Sequence, residues 1–201
     1  LETSAPTAKG IFNAINTTYK FLTNKELKES TIAISGVGKV GSKLSKLLFE
    51  RNANLIVSNI GRDAIDQLKQ DKISFNESDI NSIFEQKCDI ISPCALGGVI
   101  NSETKKKLKC KAIVGAANNQ LDKSETALWL KENNIFYAPD YLVNSGGVIA
   151  ISCEINNSED TLDDQLNKIS DKVLSLLKES KKSSLSTDKI AEDLAWKRIN
   201  I

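Results

Sequence analysis

Four turns of small residues, each following a short apolar run, hold the chemistry this sequence can do. The first is Ser35-Gly36-Val37-Gly38-Lys39-Val40-Gly41. It lies after Thr31-Ile32-Ala33-Ile34 and before an amphipathic run from Val40 to Arg51. Strand, glycine turn and helix in that order are the setting of a dinucleotide-binding GxGxxG. A glycine without a Cβ lets a pyrophosphate come against the backbone. The helix that starts there turns its free N–H groups and its dipole toward negative charge. A merely structural tight turn is the competing reading, and the flanking strand and helix weigh against it.

The next strand of such a site should end in an acidic residue that grips the adenosine ribose, about 20 residues after the glycines. Asn59 stands there. Its amide can bond a hydroxyl but lacks the charge that repels a 2′-phosphate. Arg62, three residues on, is a candidate partner for such a phosphate. The reading favours NAD and leaves NADP open. In the bland alternative Asn59 ends a strand and Arg62 is a solvated helix residue.

The second small-residue turn is Ser92-Pro93-Cys94-Ala95-Leu96-Gly97-Gly98, where a flat cofactor can pass over the backbone at Ala95. Nothing near Cys94 supplies a base, so it reads as an inert thiol. Gly115-Ala116-Ala117-Asn118-Asn119 and Asn144-Ser145-Gly146-Gly147 complete the set. Asn118 and Asn144 can hydrogen-bond a nicotinamide amide, a ribose or a substrate carboxylate. Asparagine and glycine also favour turns for backbone reasons alone. Three such turns at consecutive strand ends favour the functional reading.

The elements that must position these turns follow from periodicity. A helix is expected over 7–29, with Ile11, Ile15, Tyr19 and Leu22 on one face and Pro6 just ahead. Strands are expected at 31–35, 55–57, 73–75, 89–92 (stopped by Pro93), 112–114 and 135–137. Helices are expected over 40–51, 62–70, 78–85 with Ser78 as N-cap, and 123–133. Six apolar runs alternating with helices argue for an α/β fold, a doubly wound parallel sheet of Rossmann type in the order 3-2-1-4-5-6. The tail carries no strand signal. Leu162, Leu166, Ile169, Val173, Leu176 and Leu177 make one helix; 178–186 is a polar break. A last helix puts Ile190, Leu194 and Trp196 inward. The division expected is a dinucleotide-binding part over 1–155 and a C-terminal helical segment over 156–201.

Composition excludes several classes. The 201 residues carry 27 basic and 26 acidic side chains, so bulk charge recommends neither nucleic acid nor an acidic membrane as partner. Lys105-Lys106-Lys107 and Lys181-Lys182 read as solvated helix faces. No apolar run approaches the roughly 20 residues that span a bilayer. The absence of histidine excludes His triads, His metal sites and His acid–base chemistry within this chain. No metal site is expected. Four cysteines without a CxxC pair read as reduced thiols of a cytoplasmic protein. No methionine is present, so Leu1 is expected to be an internal position of a longer protein or a processed end.

These residues together resemble the amino-acid dehydrogenases for leucine, valine and phenylalanine and, more distantly, glutamate. Thr7-Ala8-Lys9-Gly10 is similar to the family's opening T-A-x-G, and Gly36 to Gly41 match its glycine turn. The stretches Cys88 to Ile100 and Tyr137 to Ile149 resemble the leucine dehydrogenase form, as does the tail from Ser186 to Ile199. The resemblance implies that Gly36, Val37, Gly38, Lys39, Val40 and Gly41 hold the pyrophosphate. It places Thr7 and Asn144 at the nicotinamide end and Ala95 under the cofactor. Asn118 would lie beside the nicotinamide ribose and the substrate's polar head, and Asn59 at the adenosine ribose. The implied reaction is reversible oxidative deamination of leucine or a similar apolar amino acid to a 2-oxo acid and ammonia. In the family the catalytic lysine and most substrate-binding groups lie in an N-terminal domain. No catalytic residue is therefore assigned within this chain, which alone is expected to be inactive. The full-length protein is expected to be a homo-oligomer. A non-catalytic nucleotide-binding or interaction module is the alternative.

Overall fold

The computed structural model describes residues 2–199. Six strands form one parallel sheet in the order β3-β2-β1-β4-β5-β6. They are β1 (Thr31–Ser35), β2 (Asn54–Ser58), β3 (Asn76–Glu77), β4 (Ile90–Pro93), β5 (Ala112–Ile113) and β6 (Phe136–Tyr137). The expected strand order is the one observed. The order reverses between β1 and β4, so both strands carry their C-terminal turns to the switch point where open α/β sheets bind ligands. Register is tight there: Ser35 lies beside Ser58 on one side and Pro93 on the other.

Side chains along β1 alternate between two cores, as a strand's period of two dictates. Ile32 and Ile34 face one layer with Leu55, Val57 and Ile90. Ala33 faces the other with Ile91, Ile113 and Tyr137. The first layer is covered by α1 (Ser4–Thr23), α2 (Lys39–Phe49), α3 (Arg62–Gln70) and α7 (Leu162–Lys182). The second is covered by α4 (Ser124–Glu132) and a short turn carrying Ile83 and Phe84. Helices α5 (Asp140–Val143), α6 (Gly146–Ile155) and α8 (Thr187–Ile199) complete the fold.

Helix α1 is the centre of the first layer. Ala8, Ile11, Ala14 and Ile15 are fully buried and share one cluster with Leu166, Ile169, Val173 and Leu176 of α7. The approach is close at Gly10, where a Cβ would come 2.8 Å from Ile169 Cδ1. Asn13 Nδ2 donates to the Leu166 carbonyl (3.3 Å) and to Asn167 Oδ1 (3.2 Å), fixing the register of the two helices.

Several sequence expectations are corrected. The first helix begins earlier than residue 7 and ends at Thr23 rather than 29. Asn24 adopts φ 57° there and its N–H caps the Lys20 carbonyl, a left-handed stop that asparagine tolerates. Residues 73–75 are not a strand: the Ile73 N–H closes helix α3 on the Leu68 carbonyl, and the edge strand starts three residues later. Residues 78–85 form only a short 3-10 turn at Ile83–Glu85. The Ser78 N–H continues the sheet to the Val57 carbonyl, while the Asp79 carboxylate takes the Asn81 N–H. Pro93 belongs to β4 rather than stopping it. Helix α7 runs through Lys182, into the expected break. Of the last helix only Thr187 and Ile190 are buried; Leu194 and Trp196 face solvent. Helices α5 and α6 lie where the sequence reading places no element beyond the turn at Asn144 to Gly147.

Candidate functional site

The glycine turn joins β1 to α2, and its three glycines do different things. Gly36 sits at φ 98°, a conformation that L side chains rarely adopt, and donates its N–H to the Ser58 carbonyl (2.8 Å). A Cβ on Gly36 would lie 2.5 Å from Ala95 Cβ, and one on Gly41 would fall on the Gly36 carbonyl oxygen. These two glycines serve the protein's own packing. Gly38 is the cap residue of α2, and nothing lies within 4 Å of where its Cβ would be. No side chain caps this helix terminus, so its first N–H groups face outward unpaired. A gap over a bare helix N-terminus fits a pyrophosphate.

Asn59, at the end of β2, is tied into the turn. Its Oδ1 accepts the Val37 N–H (3.0 Å) and its Nδ2 donates to the Gly61 carbonyl (2.8 Å). Arg62 opens α3 beside it. The guanidinium is held by Asp66 at 3.2 Å and by Glu77 at the end of β3. Hydrogen bonding to Arg62 holds the Glu77 carboxyl below its usual range.

The remaining turns are braced to one another through their backbones. The Cys94 N–H donates to the Ser35 carbonyl (2.8 Å), and the Ala117 N–H to the Pro93 carbonyl (2.9 Å). The Gly98 N–H meets the Asn119 carbonyl (2.7 Å), and a Cβ on Gly97 would come 2.6 Å from the Asn118 carbonyl oxygen. Asn144 Nδ2 then donates to Asn118 Oδ1 (2.7 Å) and to the Ala116 carbonyl (3.3 Å). Thr7 arrives from α1: its Oγ1 lies 2.9 Å from where a Gly147 Cβ would be and bonds the Thr3 carbonyl (2.9 Å). The fold thus sets the glycine turn, Ala95, Asn118, Asn144 and Thr7 along one edge of the sheet, with Asn59 at its far end.

Two supporting residues receive no role from the sequence. Gln120 is fully buried, and its Nε2 donates to the carbonyls of Gly115 (2.8 Å) and Ala117 (3.0 Å), shaping the loop that presents Asn118. Asp140 accepts the Tyr141 N–H (2.7 Å) and the Gln120 N–H (3.3 Å). Sequence alone hides both, because a Gln or Asp beside a turn reads as surface.

The edge offers little acid–base chemistry of its own. Burial pushes the Cys94 thiol up, away from the thiolate a nucleophile needs. Lys39 is the single lysine in the four turns, and it stands at the glycine turn, across the Ala95 loop from Asn118 and Asn144. Among the described residues no group of three or more Cys, Asp or Glu is placed to hold a metal. No helix among them is long and apolar enough to cross a membrane.

A family model described as glutamate/leucine/phenylalanine/valine dehydrogenase matches residues 56–199. The chain is 39% identical to a phenylalanine dehydrogenase of Thermoactinomyces intermedius over 98% of its own length and 55% of that protein's. It is 40% identical to a leucine dehydrogenase of Bacillus subtilis over 76% of its length and 42% of that protein's. The crystal structure of L-tryptophan dehydrogenase from Nostoc punctiforme superposes with a TM-score of 0.94 at 30% identity, covering 100% of this chain and 62% of that one. The chain spans about half the length of the curated relatives it matches.

Proposed function

The chain belongs to the glutamate/leucine/phenylalanine/valine dehydrogenase family, and from that membership and the geometry of the sheet edge we propose that it is the nicotinamide-cofactor-binding part of an amino-acid dehydrogenase. The observation that carries this reading is the gap at Gly38 over the uncapped start of α2, in line with the Ala95 loop and the Asn118–Asn144 pair. In this reading residues 1–155 form the dinucleotide-binding part and 156–201 the helical segment that packs on it. The backbone N–H groups of Gly38 to Val40 hold the pyrophosphate, and Ala95 gives the cofactor a flat floor. The Asn118–Asn144 pair presents amide groups to the nicotinamide end and to the substrate's polar head, with Thr7 alongside. A nicotinamide held there would supply a hydride acceptor for the substrate's Cα.

The substrate is leucine or a comparable apolar amino acid. Val148, four residues beyond Asn144 and 71% exposed, supports an apolar side chain there. Phenylalanine belongs to the same class, in keeping with the phenylalanine and leucine dehydrogenases that this chain is similar to. NAD(H) is the proposed cofactor, because Arg62, the candidate partner for a 2′-phosphate, is already paired with the carboxylates of Asp66 and Glu77. The acid–base group that hydride transfer needs is proposed to lie outside these 201 residues. A homo-oligomeric full-length enzyme in the cytoplasm completes the reading.

Titration of the purified chain with NADH, followed by nicotinamide fluorescence, tests it. Saturable binding with no measurable deamination of leucine or phenylalanine is expected. Absence of nucleotide binding would overturn the cofactor role, and robust turnover would overturn the placement of the acid–base group.

A further inference from the structure

The end of β2 normally carries the carboxylate that turns away a 2′-phosphate, and this chain has Asn59 in its place. The structure shows what Asn59 does instead. Its oxygen takes the Val37 N–H and its nitrogen reaches the Gly61 carbonyl, so the amide is occupied in holding the glycine turn against the start of α3. The charge at this end of the edge comes from elsewhere. Strand β3 pairs with β2 so that Val57 lies beside Glu77, two residues before Asn59. From that position Glu77 reaches the Arg62 Nη1 across the strand ends. It also meets Lys69 Nζ at 3.4 Å, while Asp66 holds Arg62 Nε from within the helix at 3.2 Å.

We propose that Glu77 sets the choice between the two nicotinamide nucleotides, by occupying the one arginine that would otherwise receive a 2′-phosphate. The inference rests on the reading of this edge as a dinucleotide site. Arg62 opens α3 three residues beyond Asn59, and a phosphate approaching its Nη1 edge would compete with Glu77 for it. The ion pairs join two carboxylates, Asp66 and Glu77, to two cations, Arg62 and Lys69, so the cluster carries no net positive charge to draw an arriving dianion. The pair is half-exposed on both sides, so its own strength is small. The discrimination comes from the charge left facing the ribose rather than from the bond. A carboxylate delivered by the neighbouring strand does the work of one at the end of β2.

The test compares NADH and NADPH titrations of the 201-residue chain, Glu77→Gln, Arg62→Ala and the double variant, at low ionic strength where exposed charges are least screened. Glu77→Gln is expected to shift the ratio of NADPH to NADH affinity toward NADPH by about three- to tenfold. Arg62→Ala in the same chain should remove that gain. An unchanged ratio in Glu77→Gln would overturn the proposal. A gain that survives in the double variant would overturn the route through Arg62. If the unaltered chain binds neither nucleotide, the dinucleotide reading itself fails, which is a different result from binding both without discrimination.

Discussion

Two alanine substitutions, three residues apart, should have opposite consequences. Gly38 has φ −67° and ψ −155°, an extended backbone with negative φ, and open space where the methyl would go. Gly38→Ala should therefore leave the fold intact or stabilise it by about 0.4–1 kcal/mol, through the reduced freedom of the unfolded chain. The same methyl fills the gap proposed for the pyrophosphate. If it costs the bound state the 1–3 kcal/mol typical of overpacking, NADH affinity should fall about 5- to 150-fold. Gly41 is the reverse case. Its added Cβ falls on the Gly36 carbonyl oxygen, a backbone atom that cannot rotate away. Gly41→Ala should cost about 3 kcal/mol and lower the melting temperature by roughly 6–12 °C for a chain of this size. Thermal unfolding by circular dichroism and NADH fluorescence titration on both variants give the answer. A Gly38→Ala protein that melts early yet binds NADH normally would refute the division of labour among the glycines.

Other substitutions probe the supports. Gln120→Ala removes two hydrogen bonds and leaves a cavity, which should cost about 2–4 kcal/mol by denaturant unfolding. Because Gln120 shapes the loop bearing Asn118, this variant should weaken NADH more than ADP-ribose, which lacks the nicotinamide. Leu176→Ala, deep in the α1–α7 seam at 1% exposure, should lower the urea midpoint by an amount worth about 2–5 kcal/mol with no change in slope. Burial, with Asp140 and Glu192 nearby, raises the Asp188 carboxyl above its ordinary range. A raised carboxyl favours the fold while protonated, so its contribution is fully present below the unfolded value near 4 and is lost as pH rises through the folded one. Asp188→Asn should match the parent chain in acid and exceed it at neutral pH, by less than about 1 kcal/mol because the group is half-exposed. Melting temperatures measured from pH 3.5 to 7.5 check the crossover.

The parts of this fold that were legible in the sequence are those in which local pattern and tertiary burial agree. Thr31–Ser35 and Arg62–Gln70 stand where the apolar periods put them, because their inward residues meet the sheet's two cores directly. The edge strand was misplaced because pattern follows burial. Ile73 is buried, but by its helix rather than by strand pairing, and Asn76 and Glu77 pair while exposed. Residues 146–155 hid a helix because a pair of glycines and a run of β-branched residues mimic a turn and a strand, although α6 begins on those glycines. They are small because Gly146 lies against the Pro6 carbonyl and Gly147 against Thr7, a contact between segments about 140 residues apart. The candidate site was legible wherever glycine and asparagine marked the strand ends. Glu77 was not, since an acidic residue on an exposed edge strand announces nothing until β3 is paired with β2.

The seam between α1 and α7 also dictates an order of events while the chain is being made. Ala8, Ile11 and Ile15 are among the first of these residues to be synthesised. The partners that cover them, Leu166 to Leu176, come roughly 150 residues later. At ordinary translation speeds that interval is on the order of ten seconds. During it α1 can dock on the nascent sheet but presents an uncovered apolar face. Helix α7 therefore closes this seam late, long after α1 has been made. A ribosome that stalls before residue 162 releases a chain with its strand order complete and its central helix still open to chaperones, or to another copy of itself.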